Sequence, residues 1–209
     1  NTTANYNTGV GYEALTANTT GQLNTAIGRE ALQSNTTASY NTAVGQNAMN
    51  TNTTGAFNAA MGNDALRTNS TGGSNIAIGV SALYANTTAS NNIAVGTNAM
   101  ISTTTGGSNT AIGSSALRIN STGANNTALG LNALYNNTTA SNNTAVGRNA
   151  LYTNTTATGN VALGYYSLFN NSSGASNAAL GYQAMYTNST GANNVSVGTN
   201  SLYANTTAS

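Results

Sequence analysis

The chain has no cysteine, histidine, proline, tryptophan or lysine, and its charged side chains are four arginines, Glu13, Glu30 and Asp64. Each absence excludes something. Without cysteine there is no disulfide framework and no thiol nucleophile, and without histidine as well the usual zinc sites and the commonest general base are gone. Charged residues make up 3% of the chain, against about 25% in ordinary globular domains. Four arginines spread along 209 residues form no basic patch, so no nucleic-acid partner is expected. No apolar run approaches the ~20 residues of a membrane span, so no membrane insertion is expected either. A disordered chain generally draws its solubility from charge and proline. With neither, the abundant Asn, Thr and Ala here must be ordered against something.

What is present is a repeat. From Asn1 the register never slips: twelve units of 17 residues are followed by residues 205–209, which open a thirteenth. The reading is one repeat array over residues 1–209, an excerpt of a longer chain, since it begins and ends inside a repeat. Within each unit the seventh position is always Asn and the eleventh always Gly. The fourth is Ala or Gly, the ninth and fourteenth are Ala, Gly or Ser, the tenth is Val, Ile, Leu or Met, and the fifteenth is Leu or Met.

One unit reads as short strands joined by turns. In Asn24–Gly28 the sequence alternates, placing Thr25 and Ile27 on one face and Asn24, Ala26 and Gly28 on the other. The bulkier face is the expected core, so the tenth-position column (Val10, Ile27, Val44, Met61, Ile78) and the fifteenth-position column (Leu15, Leu32, Met49, Leu66, Leu83) are both placed inside. A helix over Arg29–Ser34 is the competing reading, but Asn, Thr and Gly are too dense for a stable one. Two apolar columns per unit fill only a thin core. That predicts an all-β fold, a parallel β-solenoid of stacked 17-residue coils rising by about 4.8 Å each. Gly at the eleventh position is then expected where φ is positive or where backbones meet. An internal amide ladder, each side chain bonding the one above and below, is expected of the seventh-position Asn7, Asn24, Asn41, Asn58, Asn75, Asn92, Asn109, Asn126, Asn143, Asn160, Asn177 and Asn194.

The stretches "NTAIGREAL" (24–32), "NTALGLNALYNNTTA" (126–140) and "NAALGYQAMYTNSTG" (177–191) resemble the repeats of bacterial and phage-type tail-fibre-domain proteins. More distantly they are similar to the head repeats of trimeric autotransporter adhesins. The resemblance spans the whole chain. It implies parallel β-coils, left-handed in the adhesin heads, often three chains around an axis, and an extracellular role in reaching or gripping a surface. The expected partners are therefore further copies, as a homotrimer or end-to-end filament, and glycans, either attached or on the surface met. A non-enzymatic fibre shaft is the first functional reading. A receptor- or glycan-binding module of a tail fibre is the second.

Glu13 and Glu30, one repeat apart, would stack at about the carboxyl separation of a retaining glycosidase, but the thirteenth position elsewhere is simply polar and no pocket signal accompanies the pair. No catalytic residue, metal ligand or cofactor is assigned, and the Asp-rich loops of calcium-loaded solenoids are missing. Tyr84, Tyr135, Tyr152, Phe169, Tyr186 and Tyr203 share the sixteenth position and predict an aromatic stripe that either staples neighbouring coils or grips sugar. Ice binding by stacked threonines is disfavoured, since Thr19 and Thr20 would point to opposite sides of a strand and the eighth position is Thr in only half the units. Finally, an Asn-x-Ser/Thr acceptor pattern opens every unit except the one beginning at Thr103. Its asparagines are Asn1, Asn18, Asn35, Asn52, Asn69, Asn86, Asn120, Asn137, Asn154, Asn171, Asn188 and Asn205, expected on an outer turn where a sugar would meet solvent.

Overall fold

The computed structural model describes residues 4–208. It is an all-β parallel solenoid. Twelve three-residue strands, β1 (Thr8–Val10), β2 (Thr25–Ile27), β3 (Thr42–Val44) and so on at each seventeenth residue to β12 (Val195–Val197), lie in one sheet in chain order. Every neighbouring pair is parallel and in register by one repeat: Thr25 faces Thr42, Ala26 faces Ala43 and Ile27 faces Val44. No insertion disturbs the spacing, so the same residue type recurs at the same height on the same side of every coil.

The sheet is turned the other way round from the sequence expectation. Ala26 is completely buried, whereas Ile27 is 41% exposed, and the same inversion runs along the array, with Met61, Ile78, Ile112 and Leu180 exposed and Ala60, Ala77, Ala111 and Ala179 inside. The cause is the narrowness of the lumen. Leu32, Met49, Leu66, Leu83 and their fifteenth-position equivalents through Met185 are fully buried and already occupy it. Opposite them, a Cβ placed on Gly9 would lie 3.8 Å from Leu15 Cδ1, which is ordinary van der Waals contact. Nothing much larger than a methyl or hydroxymethyl group fits there, so the ninth and fourteenth positions supply Gly, Ala or Ser and the aliphatic tenth position is left outside. Where Ser replaces Ala at both inner sites, in the last full coil, the Ser196 and Ser201 hydroxyls bond to each other.

Residues 29–34 form turns rather than a helix. Their N–H groups bond neighbouring coils: Glu30 donates to the Tyr12 carbonyl below (2.7 Å) and Leu32 to the Ala48 carbonyl above (3.0 Å). Reaching up and down in alternation requires positive φ, 57° at Glu30 and 49° at Leu32, and the pattern recurs in every coil. A left-handed conformation costs a non-glycine residue roughly 1–2 kcal/mol, while burying a leucine returns about 1.5–3 kcal/mol. The core column thus offsets the strain of its own backbone.

The invariant Gly has a sharper reason. Its φ is 120–139° throughout, and a Cβ on Gly28 would sit 2.5 Å from the carbonyl oxygen of Gly45 in the next coil. Both expectations for this position are met at once, and the neighbour it would strike is backbone, which cannot swing aside.

Candidate functional site

Two columns of asparagine line the interior, and their roles differ from the sequence expectation. In the seventh-position column each Oδ1 accepts the backbone N–H of the next Asn, as Asn24 does from Asn41 (2.9 Å). The Nδ2 donates to the fourth-position carbonyl of the following coil, as Asn24 does to Ala38 (2.8 Å), in every member but Asn160, whose Nδ2 has no partner. These side chains clamp backbone to backbone. Direct amide-to-amide bonds occur in this column only at Asn109 to Asn92 (3.3 Å), Asn126 to Asn109 (3.1 Å) and Asn194 to Asn177 (3.2 Å) among the described residues.

The amide ladder belongs instead to the first position, where it runs on either side of Thr103. Asn35 Nδ2 donates to Asn18 Oδ1 at 2.9 Å and to its own coil's Ala38 carbonyl at 3.0 Å, and Asn52 and Asn69 repeat the arrangement above it. The Ala38 carbonyl therefore takes one amide from each column, which uses both its lone pairs. Only Gly or Ala is found at that junction.

This overturns the outer-edge placement of the acceptor asparagines. Asn18, Asn35, Asn52, Asn69, Asn86, Asn120, Asn137, Asn154, Asn171 and Asn188 are buried, with Nδ2, the atom that would carry a sugar, inside the ladder. Asn205, half-buried in the last coil, donates to Asn188 at 3.0 Å. Asn1 lies outside the described residues. The turn is real, but its polar opening residue points inward because the fourth-position carbonyl and the amide below attract it; the second and third residues face out.

Thr103 is the ladder's one fault. It is as buried as the asparagines. Asn120 Nδ2 reaches its Oγ1 only at 3.4 Å, and on the other side Asn86 Oδ1 is left without a hydrogen-bond partner. Threonine has one hydroxyl where the neighbours expect an amide that both donates and accepts.

Outside, the aromatic stripe is stacked ring on ring. Tyr135, Tyr152, Phe169, Tyr186 and Tyr203 follow one another at 5.1–5.3 Å with planes within 20°. Tyr84 stands apart, with Ile101 rather than a ring in the next coil. Two further stacks were not singled out in the sequence, Tyr165 on Tyr182 (5.4 Å) at the twelfth position and Tyr40 on Phe57 (5.0 Å) at the sixth. The same repeat-by-repeat columns could have found them. Arginine begins three of the aromatic runs from one coil below: Arg67 under Tyr84, Arg118 under Tyr135 and Arg148 under Tyr165, at 5.5–5.8 Å. In the long stripe each interior ring spends both faces on its neighbours. A sugar that binds by stacking needs such a face, which leaves it mainly phenolic edges there. Burial among these rings, with Tyr203 and Tyr166 nearby, pushes the Tyr186 phenol above its ordinary value.

No protein-family model matches the chain, and no curated protein or solved structure does either. Its chemistry has to be read from its own surface.

That surface holds little reactive machinery. Glu13 accepts a hydrogen bond from Gln33, and Glu30 is paired with Arg29 at 2.7 Å, so each carboxylate has its own partner. No cavity opens among the described residues, no group of three metal-ligating side chains forms among them, and they include no helix long and apolar enough to cross a membrane. The most distinctive outer feature is the sheet face. Its eighth and tenth positions carry Thr, Ala, Val, Ile, Leu or Met and no charge in any coil.

Proposed function

We propose that the chain is a non-enzymatic shaft segment of an extracellular fibre or adhesive appendage on a cell or virion surface, assembled by self-association. The observation that carries this reading is the uncharged sheet face, aliphatic at the tenth position of every coil and at the eighth position of half of them, with Thr in the rest. At the inter-strand spacing, twelve strands give a flat strip on the order of 600–800 Å², about what one partner contributes to a stable protein interface. Contiguous apolar patches of a few hundred Å² on soluble proteins commonly mark association sites, and the tenth-position column, flanked by Thr or small aliphatic residues, supplies one. The leucines and methionines among the branched residues roughen the strip, which suits interdigitation with another chain better than contact with a flat lattice such as ice. The repeats' resemblance to tail-fibre and adhesin-head repeats supports the same reading, and with it a homotrimer or filament.

Sedimentation of the purified chain tests it. The expected result is a multi-chain species that falls to single chains, with unchanged circular dichroism, when Ile78→Lys and Ile112→Lys are combined. A wild-type chain that stays single at micromolar concentration would count against the shaft.

A second reading, a receptor- or glycan-binding module, is favoured by one feature: Tyr165 and Tyr182, stacked on each other, are both exposed, and Tyr203 is exposed on the last full coil. A glycan array separates the two, since a shaft should bind nothing and a receptor module should lose its signal on Tyr182→Ala.

A further inference from the structure

The third position of the repeat poses a question that folding does not answer. It is exposed in every described coil, and no hydrogen bond involves its side chain in, for example, Thr71, Thr88 or Thr105, although the second-position hydroxyl beside it donates to the next coil's backbone, as Ser70 does to the Thr87 carbonyl (2.9 Å). Other outward positions drift freely: the twelfth runs from Tyr and Arg to Val and Ser. Yet the third position is Thr in every unit but one, where it is Ser173.

Three comparisons narrow the reason. Ser173 keeps the hydroxyl but not the β-branch, and the equally β-branched Val and Ile never appear there, so the oxygen is what is held, not a backbone preference. Thr105 persists in the one coil whose first residue is Thr103 rather than Asn, so the hydroxyl is not kept as part of an Asn-linked acceptor. The buried first-position amides exclude that use in the folded coil in any case.

We propose that this hydroxyl rank is an O-linked glycosylation site, taking one small unbranched sugar per coil. In the step, the threonine Oγ1 attacks the anomeric carbon of a nucleotide-activated sugar. The new C–O bond forms as the anomeric carbon–phosphate oxygen bond breaks, the nucleoside diphosphate leaves, and the hydroxyl proton passes to the base of the transferase. Acceptors about 4.8 Å apart leave room for single saccharide rings stacked face to face along the rod but not for branched chains. Phosphate fits worse, because adjacent charges at that spacing would repel all along a rod that has few cations to relieve them. The proposal does not depend on the shaft reading.

The test is intact-mass and site-resolved fragmentation mass spectrometry of the protein from its native host, beside Thr71→Val and Thr88→Val variants expressed there. Val keeps the shape and removes only the acceptor. Hexose-class mass increments located on third-position oxygens, one increment lost per substitution, with the melting temperature of the deglycosylated chains unchanged, are the expected result. The bare polypeptide mass, phosphate increments, or sugars mapped to second-position hydroxyls would each overturn it.

Discussion

At the residue scale the account rests on single atoms that have no alternative position. Asn86 Oδ1 lacks a donor because Thr103 stands where the ladder needs an amide. Restoring it with Thr103→Asn supplies a donor to Asn86 and a closer acceptor to Asn120. The substitution should stabilise the chain by about 1–3 kcal/mol, the usual cost of one unsatisfied buried polar group. A urea midpoint that does not move would show that the fault costs nothing. The reverse change in an intact stretch, Asn137→Ala, should cost a similar amount, and Ser114→Ala, at an exposed position with one long 3.4 Å bond, should cost almost none. Ionisation belongs to this scale too. Tyr186 has its pKa raised in the folded chain by burial first and by the neighbouring rings second. A raised acid is held neutral by the fold, so its contribution is intact below the ordinary tyrosine value of about 10 and is lost as the pH climbs past it. With no histidine, the melting temperature should be nearly flat across neutral pH and fall only in strong alkali, a fall that Tyr186→Phe should blunt.

At the level of the coil, the repeat made much of the design legible. The invariant Gly could be read from the sequence because only one physical situation demands it, and the fifteenth-position leucines because no other large column competes for a thin core. The sheet's orientation could not be read that way. Alternation in Asn24–Gly28 gives two faces, and choosing between them by bulk assumes an interior wide enough for the bulkier one. The deciding fact is the lumen width left by Leu32 and its neighbours, which is a property of the closed coil and not of five residues. The ladder's place in the first rather than the seventh column was hidden for a related reason: an Asn in a turn ordinarily faces solvent, and although the carbonyl three residues on is a local partner, as Ala38 is for Asn35, only stacking brings the amide of the neighbouring coil within reach of its side chain. A pair of substitutions checks the orientation. Ala111→Val should overpack the lumen and cost about 1–3 kcal/mol, whereas the adjacent Ile112→Thr should leave the dilute chain's stability within about 0.5 kcal/mol. The opposite ranking would put Ile112 inside.

The whole molecule is a narrow solenoid whose interior coils keep amides and small side chains within and show branched aliphatic and threonine ranks outside. The absence of cysteine allows this to be tested with one introduced thiol at a time. Thr88→Cys and Ala94→Cys, six residues apart in one coil, should be compared for the rate of alkylation at a dilution where sedimentation shows single chains. Labelling of Thr88→Cys at the rate of a free thiol, with Ala94→Cys reacting only as fast as the array opens, is the outcome the inverted sheet requires. Equal, rapid labelling of both would mean that the ninth position faces solvent and that the packing described here is wrong.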